Sequence, residues 1–223
     1  NTNGETNTAI GHEALTKNIS GFGNTAVGDA ALYADSASFN TGIGALALYR
    51  NTTGTENTAV GFESLWFNID GNYNAAVGTN SLQNNSSGNN NVATGRNALR
   101  DNRTGNNNIG IGRGAGGFNI SGSGNVAIGT TALVSNQTQN NLVAVGDSAM
   151  FRTTGAGNTG VGSKVMFTNT SGNNNTAIGS NALNKNTTGN KNTAVGYFAM
   201  SENTLGYGNI AIGNEAGAGN NIS

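Results

Sequence analysis

A single histidine, His12, stands in the 223 residues, and there is no cysteine. A Cys/His pair, a thiolate metal site or a cluster of histidine ligands therefore cannot be assembled. The carboxylates Asp29, Glu63, Asp147 and Glu215 are scattered, with no second acid at a spacing that would divide acid and base roles as glycoside cleavage requires. Gly110-Ile-Gly-Arg-Gly114 has the glycine spacing of a phosphate loop, but no Walker lysine follows. Calcium-binding nonapeptides of the G-G-x-G-x-D type are absent. Asn-x-Ser/Thr recurs at Asn18, Asn51, Asn85, Asn102, Asn119, Asn136, Asn169 and Asn186. That pattern fits either glycan acceptors or an asparagine ladder with Ser/Thr-capped turns. Trp66, Phe39, Tyr73, Phe118 and Tyr207 offer either sugar-stacking rings or loop packing. No catalytic, cofactor-binding or metal residue is assigned, and the chain is expected to be no enzyme.

Composition narrows the classes further. Charged residues make up 9% of the chain and the formal net charge is -1, so no basic surface for nucleic acid or an anionic membrane is expected. No apolar run approaches the ~18 residues of a membrane span, and the start at Asn1 does not resemble a signal peptide. Lack of cysteine leaves the compartment open, because a regular β-rod needs no disulfides. With 36 Gly and 42 Asn, the chain would suit a disordered segment if its apolar positions were unordered. They are strictly ordered.

Aligning the chain on Asn-Thr-Ala-Val-Gly gives 13 units, beginning at residues 7, 24, 40, 57, 74, 91, 108, 125, 142, 158, 175, 192 and 209. They form one repeat domain over 1–223, and we number them coils 1 to 13. Ten of the 12 spacings are 17 residues and two are 16, in coils 2 and 9. The consensus is N-T-A-[IV]-G-x-x-A-[LM]-x-x-N-x-[ST]-G-x-x. Position 5 is Gly in all 13 units and position 3 is Ala or Gly in all 13. Position 12 departs from Asn only at Asp35 and Thr153. Such Gly and Asn densities oppose helix, and helical repeats are longer. The period predicts an all-β parallel solenoid with one coil per unit, each holding two or three short strands. It should rise about 4.8 Å per coil. Ile10, Val27, Ile43 and Val60 should stack in one column and Leu15, Leu32, Leu48 and Leu65 in another, with Gly at a bend or positive φ and Asn ladders at positions 1 and 12. The N-x-[ST]-G-x-x half should form the outer loops.

Successive strand residues face opposite ways, and here both faces are restricted, one to bulky and one to small side chains. The small-residue face is therefore expected to pack against another polypeptide. Burial arithmetic agrees. Four or five apolar positions per coil, at roughly 1.5–3 kcal/mol for each buried Val or Leu, must offset the ordering of a 17-residue coil at about 1–2 kcal/mol per residue. A single rod is marginal, and association of rods is expected.

The stretches Asn175-Thr-Ala-Ile-Gly-Ser-Asn-Ala-Leu183 and Asn192-Thr-Ala-Val-Gly-Tyr-Phe-Ala-Met200 resemble the head repeats of YadA-like trimeric autotransporter adhesins, and are similar to repeats of tailed-phage fibres. The resemblance runs from Asn7 to Ser223. It implies a left-handed β-roll, three chains about a common axis, and a head that binds host surfaces, matrix proteins or glycans. The 17-residue period is longer than that of the family coil, the Leu/Met of position 9 is unusually regular, and no neck, stalk or anchor segment is present.

Three functional classes follow. The first is a non-enzymatic extracellular rod of an adhesin or cell-surface fibre, with a phage tail-fibre shaft and a self-assembling filament close to it. The second is an ice-binding solenoid, using the position-2 threonines Thr8, Thr25, Thr41, Thr58, Thr159, Thr176 and Thr193, a column broken at Ala75, Val92, Ile109, Val126 and Val143. The third is an enzymatic phage spike, for which no acid/base pair is offered. Both ends of the chain cut through a coil, which suggests a longer rod or head-to-tail assembly.

Overall fold

The computed structural model describes residues 3–219; residues 1, 2 and 220–223 of the expected domain lie outside them. Each coil contributes one three-residue strand at positions 2 to 4, from β1 (Thr8–Ile10) and β2 (Thr25–Val27) to β13 (Ile210–Ile212). The strands form a single 13-stranded parallel sheet in sequence order. Register runs position on position, as in Thr25↔Thr41, Ala26↔Gly42 and Val27↔Ile43, so the coils stack as a solenoid. The short coils keep this register because they omit a residue at position 14, in the turn. Thus Ala37 takes the place of the position-15 glycines and accepts from Asn24 Nδ2 at 2.8 Å, as Gly54 accepts from Asn40 at 2.8 Å.

One strand per coil replaces the two or three expected. Elsewhere in the coil the backbone still bonds to its neighbours: Leu65 donates to Ser81 at 3.0 Å, Phe67 to Gln83 at 2.8 Å and Ile69 to Ser86 at 2.9 Å. Those stretches bend too sharply to be extended, because positions 7 and 9 lie in the left-handed region, as at Glu63 (φ 53) and Leu65 (φ 49). The glycine of position 5 sets the first bend. Gly61 has φ 130, and a Cβ there would lie 2.7 Å from the carbonyl carbon of Gly78 in the next coil. Only hydrogen fits, and only glycine takes that φ without strain.

The core corrects the expected assignment of strand faces. Position 3 points inward: Ala26, Ala59, Ala76 and Ala93 are fully buried, together with position 8 (Ala31, Ala47) and the leucine column Leu32, Leu48, Leu65 and Leu82. The Ile/Val column of position 4 faces out, with Ile43, Val77 and Ile178 each at least 40% exposed. Small residues at position 3 are therefore dictated from within the same chain. A Cβ on Gly42 would lie 3.2 Å from Leu32 Cγ, and one on Gly110 would lie 2.8 Å from Leu99 Cγ. The leucine of the preceding coil already fills the lumen, leaving room for no more than a methyl group. At Gly116 the leucine column lapses, and the core divides into one cluster ending at Leu99 and another beginning at Ala115.

The rest of the lumen is amide. Position-1 and position-12 asparagines are buried and bonded coil to coil. Asn68 Nδ2 donates to Asn51 Oδ1 at 2.6 Å and Asn85 Nδ2 donates to Asn68 Oδ1 at 2.8 Å. The backbone N–H of Asn57 donates to Asn40 Oδ1 at 2.9 Å. Both ladders were legible in the sequence. That position 12 and the glycine of position 15 lie inside, rather than in outer loops, was not.

Candidate functional site

The residues with most chemical potential do not converge. His12 Nδ1 lies 3.0 Å from Asp29 Oδ1 one coil away, both side chains largely in water. Glu63 accepts from Gln83 Nε2 at 2.6 Å, and Asp147 from Ser148 Oγ at 3.2 Å. Among the described residues no three His, Asp or Glu side chains gather as metal ligands. The phosphate-loop look of Gly110–Gly114 dissolves in the fold. Gly112 N–H donates to Thr94 at 2.8 Å and Gly114 N–H to Arg96 at 2.9 Å, so these amides are already committed to the preceding coil.

The eight Asn-x-Ser/Thr asparagines are at most 1% exposed. Their amides are used: Asn102 Nδ2 donates to Asn85 at 2.8 Å and to Gly105 at 3.0 Å. Glycan attachment to the folded rod is thereby excluded, and the ladder reading stands.

Both exceptions in the position-12 column fall in the short coils. Asp35 is fully buried; it accepts from Asn51 Nδ2 at 2.7 Å and from the Ala37 N–H at 3.1 Å. Burial pushes its carboxyl up to about 7 against the lowering effect of those bonds. Thr153 is also fully buried, and its hydroxyl has no hydrogen-bond partner. Coil 9 also replaces the position-1 asparagine by the buried Leu142, so its lumen is locally apolar.

Two surfaces remain. The sheet's outer face carries positions 2 and 4. In coils 6 to 9 both columns are apolar apart from Thr94, with Val92 and Ile111 each 39% exposed. Toward the N-terminus the position-2 column is Thr8, Thr25, Thr41 and Thr58, against Ile10, Val27, Ile43 and Val60. Around the corner, positions 10, 11 and 13 form a second surface. Tyr33 stacks on Tyr49 at 5.1 Å, and Tyr49 faces Trp66 at 6.2 Å with 6° between planes. Lys17 Nζ sits 4.8 Å from the centre of the Tyr33 ring, while the Arg50 guanidinium lies 5.1 Å from Trp66 and 5.0 Å from Phe67.

Sequence reasoning picked out Trp66 alone. The available signal was its column, since Tyr33, Tyr49 and Trp66 all occupy position 10 of successive coils. The other singled-out rings pack on the surface: Phe39 meets Phe22 edge-on at 4.9 Å, Phe118 lies 5.3 Å under Arg100, and Tyr207 Oη accepts from Lys191 Nζ at 2.7 Å. Tyr73 is exposed. No helix among the described residues is long and apolar enough to cross a membrane. Comparison with family models, with curated proteins and with solved structures returned no match for this chain.

Proposed function

We propose that this chain is a non-enzymatic structural and adhesive rod of an extracellular surface fibre, three copies packing side by side through the outer face of the sheet. The observation that supports this reading is the outward Ile/Val column at position 4. In a monomer these side chains would stay in water along the whole rod. Thirteen strands at about 4.8 Å spacing, each about 10 Å long, make a face on the order of 600 Å². Counting both columns, that area approaches the roughly 800 Å² per partner of a stable interface. Three-fold closure would put the face on a common axis and leave the polar corners outside. The resemblance to trimeric adhesin heads points the same way, and a phage-fibre shaft would use the same packing.

Absolute mass by light scattering during gel filtration tests it. A trimer is expected, falling to monomer when Ile111→Lys and Val126→Lys place two charges on the face. A wild-type monomer at all concentrations would sink the proposal. The outward Thr-x-Ile/Val columns of coils 1 to 4 favour a second reading, ice binding, which thermal hysteresis of the wild-type protein would reveal.

A further inference from the structure

We propose that the corner formed by positions 10, 11 and 13 in coils 1 to 8 is a binding groove for an extended anionic glycan, a polymer bearing uronate or sulfate groups. The proposal rests on the adhesive reading and names the ligand class.

Position 12 is buried in the ladder, while Arg50 at position 11 and Thr52 and Ile69 at position 13 are exposed, which leaves a trough between their columns. Three hollows lie along this trough. One of about 380 Å³ runs from Lys17 past Tyr33 and Tyr49 to Arg50, Thr52 and Ile69. The next, about 420 Å³, is bounded by Trp66, Phe67, Asn84, Ser86 and Arg103. A third, about 280 Å³, continues from Arg103 to Phe118 and Gln137. Arg103 lines two of them, so the hollows follow one another up the rod.

The charges on this corner are unbalanced. Of the 10 Lys and Arg residues, Lys17, Arg50, Arg100 and Arg103 lie here. Arg100 is neutralised by Asp101 at 2.6 Å; burial alone would raise the Asp101 carboxyl, but hydrogen bonds from Arg100 and Asn84 and the nearby positive charges hold it below its ordinary range. Lys17, Arg50 and Arg103 enter no ion pair among the described residues. Lys17 and Arg50 are instead held against aromatic rings, which positions a cation without cancelling its charge. An anion arriving in the groove therefore meets charges whose side-chain order is already established.

Spacing and lining select the polymer. Lys17 and Arg50 are two coils apart and Arg50 and Arg103 three, about 10 Å and 14 Å along the axis at one strand spacing per coil. Nucleic acid, with a phosphate on every nucleotide, would call for a denser row of cations on a protein whose net charge is -1. A glycan charged on only some of its sugars fits the sparse row. Along this row the side chains of Thr52, Asn84 and Ser86 donate to Ile69, Asp101 and Arg103 and keep their oxygens as acceptors for sugar hydroxyls, and the edges of Tyr33, Tyr49 and Trp66 offer apolar contact to sugar C–H groups.

The test measures binding of the wild-type chain to hyaluronan, which bears a uronate on every second sugar, and to neutral dextran and polyglutamate at low and physiological salt, alongside the triple variant Lys17→Gln, Arg50→Gln, Arg103→Gln. Wild type should bind hyaluronan, weaken as salt rises, and ignore dextran. The variant should bind at least about tenfold more weakly, the loss of one or more charge-assisted bonds. Equal binding by variant and wild type, or no binding of hyaluronan at low salt, overturns the proposal. Polyglutamate bound as tightly as hyaluronan overturns the glycan assignment in favour of an acidic peptide. The variant's mass by light scattering separates the two readings, since loss of glycan binding with the trimer intact concerns this groove alone, whereas a monomeric wild type concerns the proposed assembly.

Discussion

At the residue scale, Asp35 is the most informative departure from the repeat. Asn51 Nδ2 donates to Asp35 Oδ1 at 2.7 Å and to the Gly54 carbonyl at 2.8 Å. In the regular ladder the position-12 Nδ2 donates to the preceding coil's asparagine and to the position-15 carbonyl, and at that place in the register Asp35 offers only carboxyl oxygens. A protonated carboxyl can donate there and a carboxylate cannot. The groups around it, Asn40, Asn51 and the Ala37 amide, are uncharged. Its folded pKa of about 7 lies above the ordinary 3.8, so the folded state holds the proton where the unfolded chain has lost it. The contribution of Asp35 to stability should be greatest below about pH 4, fall as pH rises to 7, and level off above, by a few kcal/mol in all. Asp35→Asn restores the donor, so its denaturation midpoint should lose this component of pH dependence and exceed that of wild type at pH 8. An unchanged pH profile would refute the argument. Thr153 presents the opposite case. Its buried hydroxyl has no partner, so Thr153→Val should leave stability equal or raise it by about 1 kcal/mol in urea titration.

At the scale of the coil, the fold stands on four recurring positive-φ sites, at positions 5, 7, 9 and 17, the last exemplified by Tyr73 at φ 58, and on two amide columns. The position-5 bend admits no side chain: Gly95 has φ 124, and a Cβ would lie 2.8 Å from the Gly112 carbonyl carbon. Because both sides of that contact are backbone, Gly95→Ala should cost more than about 4 kcal/mol or prevent cooperative folding, which circular dichroism melts would show. Within the ladder, Asn68 donates to Asn51 at 2.6 Å and to Gly71 at 2.9 Å, and accepts from Asn85 at 2.8 Å. Asn68→Ala strands those buried partners, and urea titration should register a loss of roughly 2–4 kcal/mol. Not every coil need be equally strong. The core is discontinuous at Gly116, which marks the place where the stack should open first, since repeat rods are stabilised chiefly by nearest neighbours.

At the scale of the whole molecule, the solenoid is a narrow rod. Its lumen holds mainly alanine, leucine, methionine and asparagine, while the Ile/Val column of position 4 lies outside. The association proposed for that outer face would couple stability to mass action. The melting temperature of the wild-type chain should therefore rise with protein concentration. The Ile111→Lys, Val126→Lys variant should melt lower and independently of concentration, as read by scanning calorimetry over a hundredfold dilution series.

The sequence by itself determined the one-on-one register of β1 to β13, the stacked leucines, the asparagine ladders and the glycine bend. In a parallel stack each residue meets its own counterpart one period away, so recurrence along the chain translates directly into contact along the axis. It did not determine which face of the strand is the inside. Period-two alternation separates Ala26 from Val27 but carries no sign, and bulk suggested that the valine was buried. Only the tertiary structure decided otherwise, because the leucine folded back from position 9 occupies the space above the strand and leaves room for a methyl group alone. The same closure buried Asp35 among amides and set Lys17, Arg50 and Arg103 along one corner. Those placements depend on where a turn directs each side chain, which spacing in the sequence does not encode.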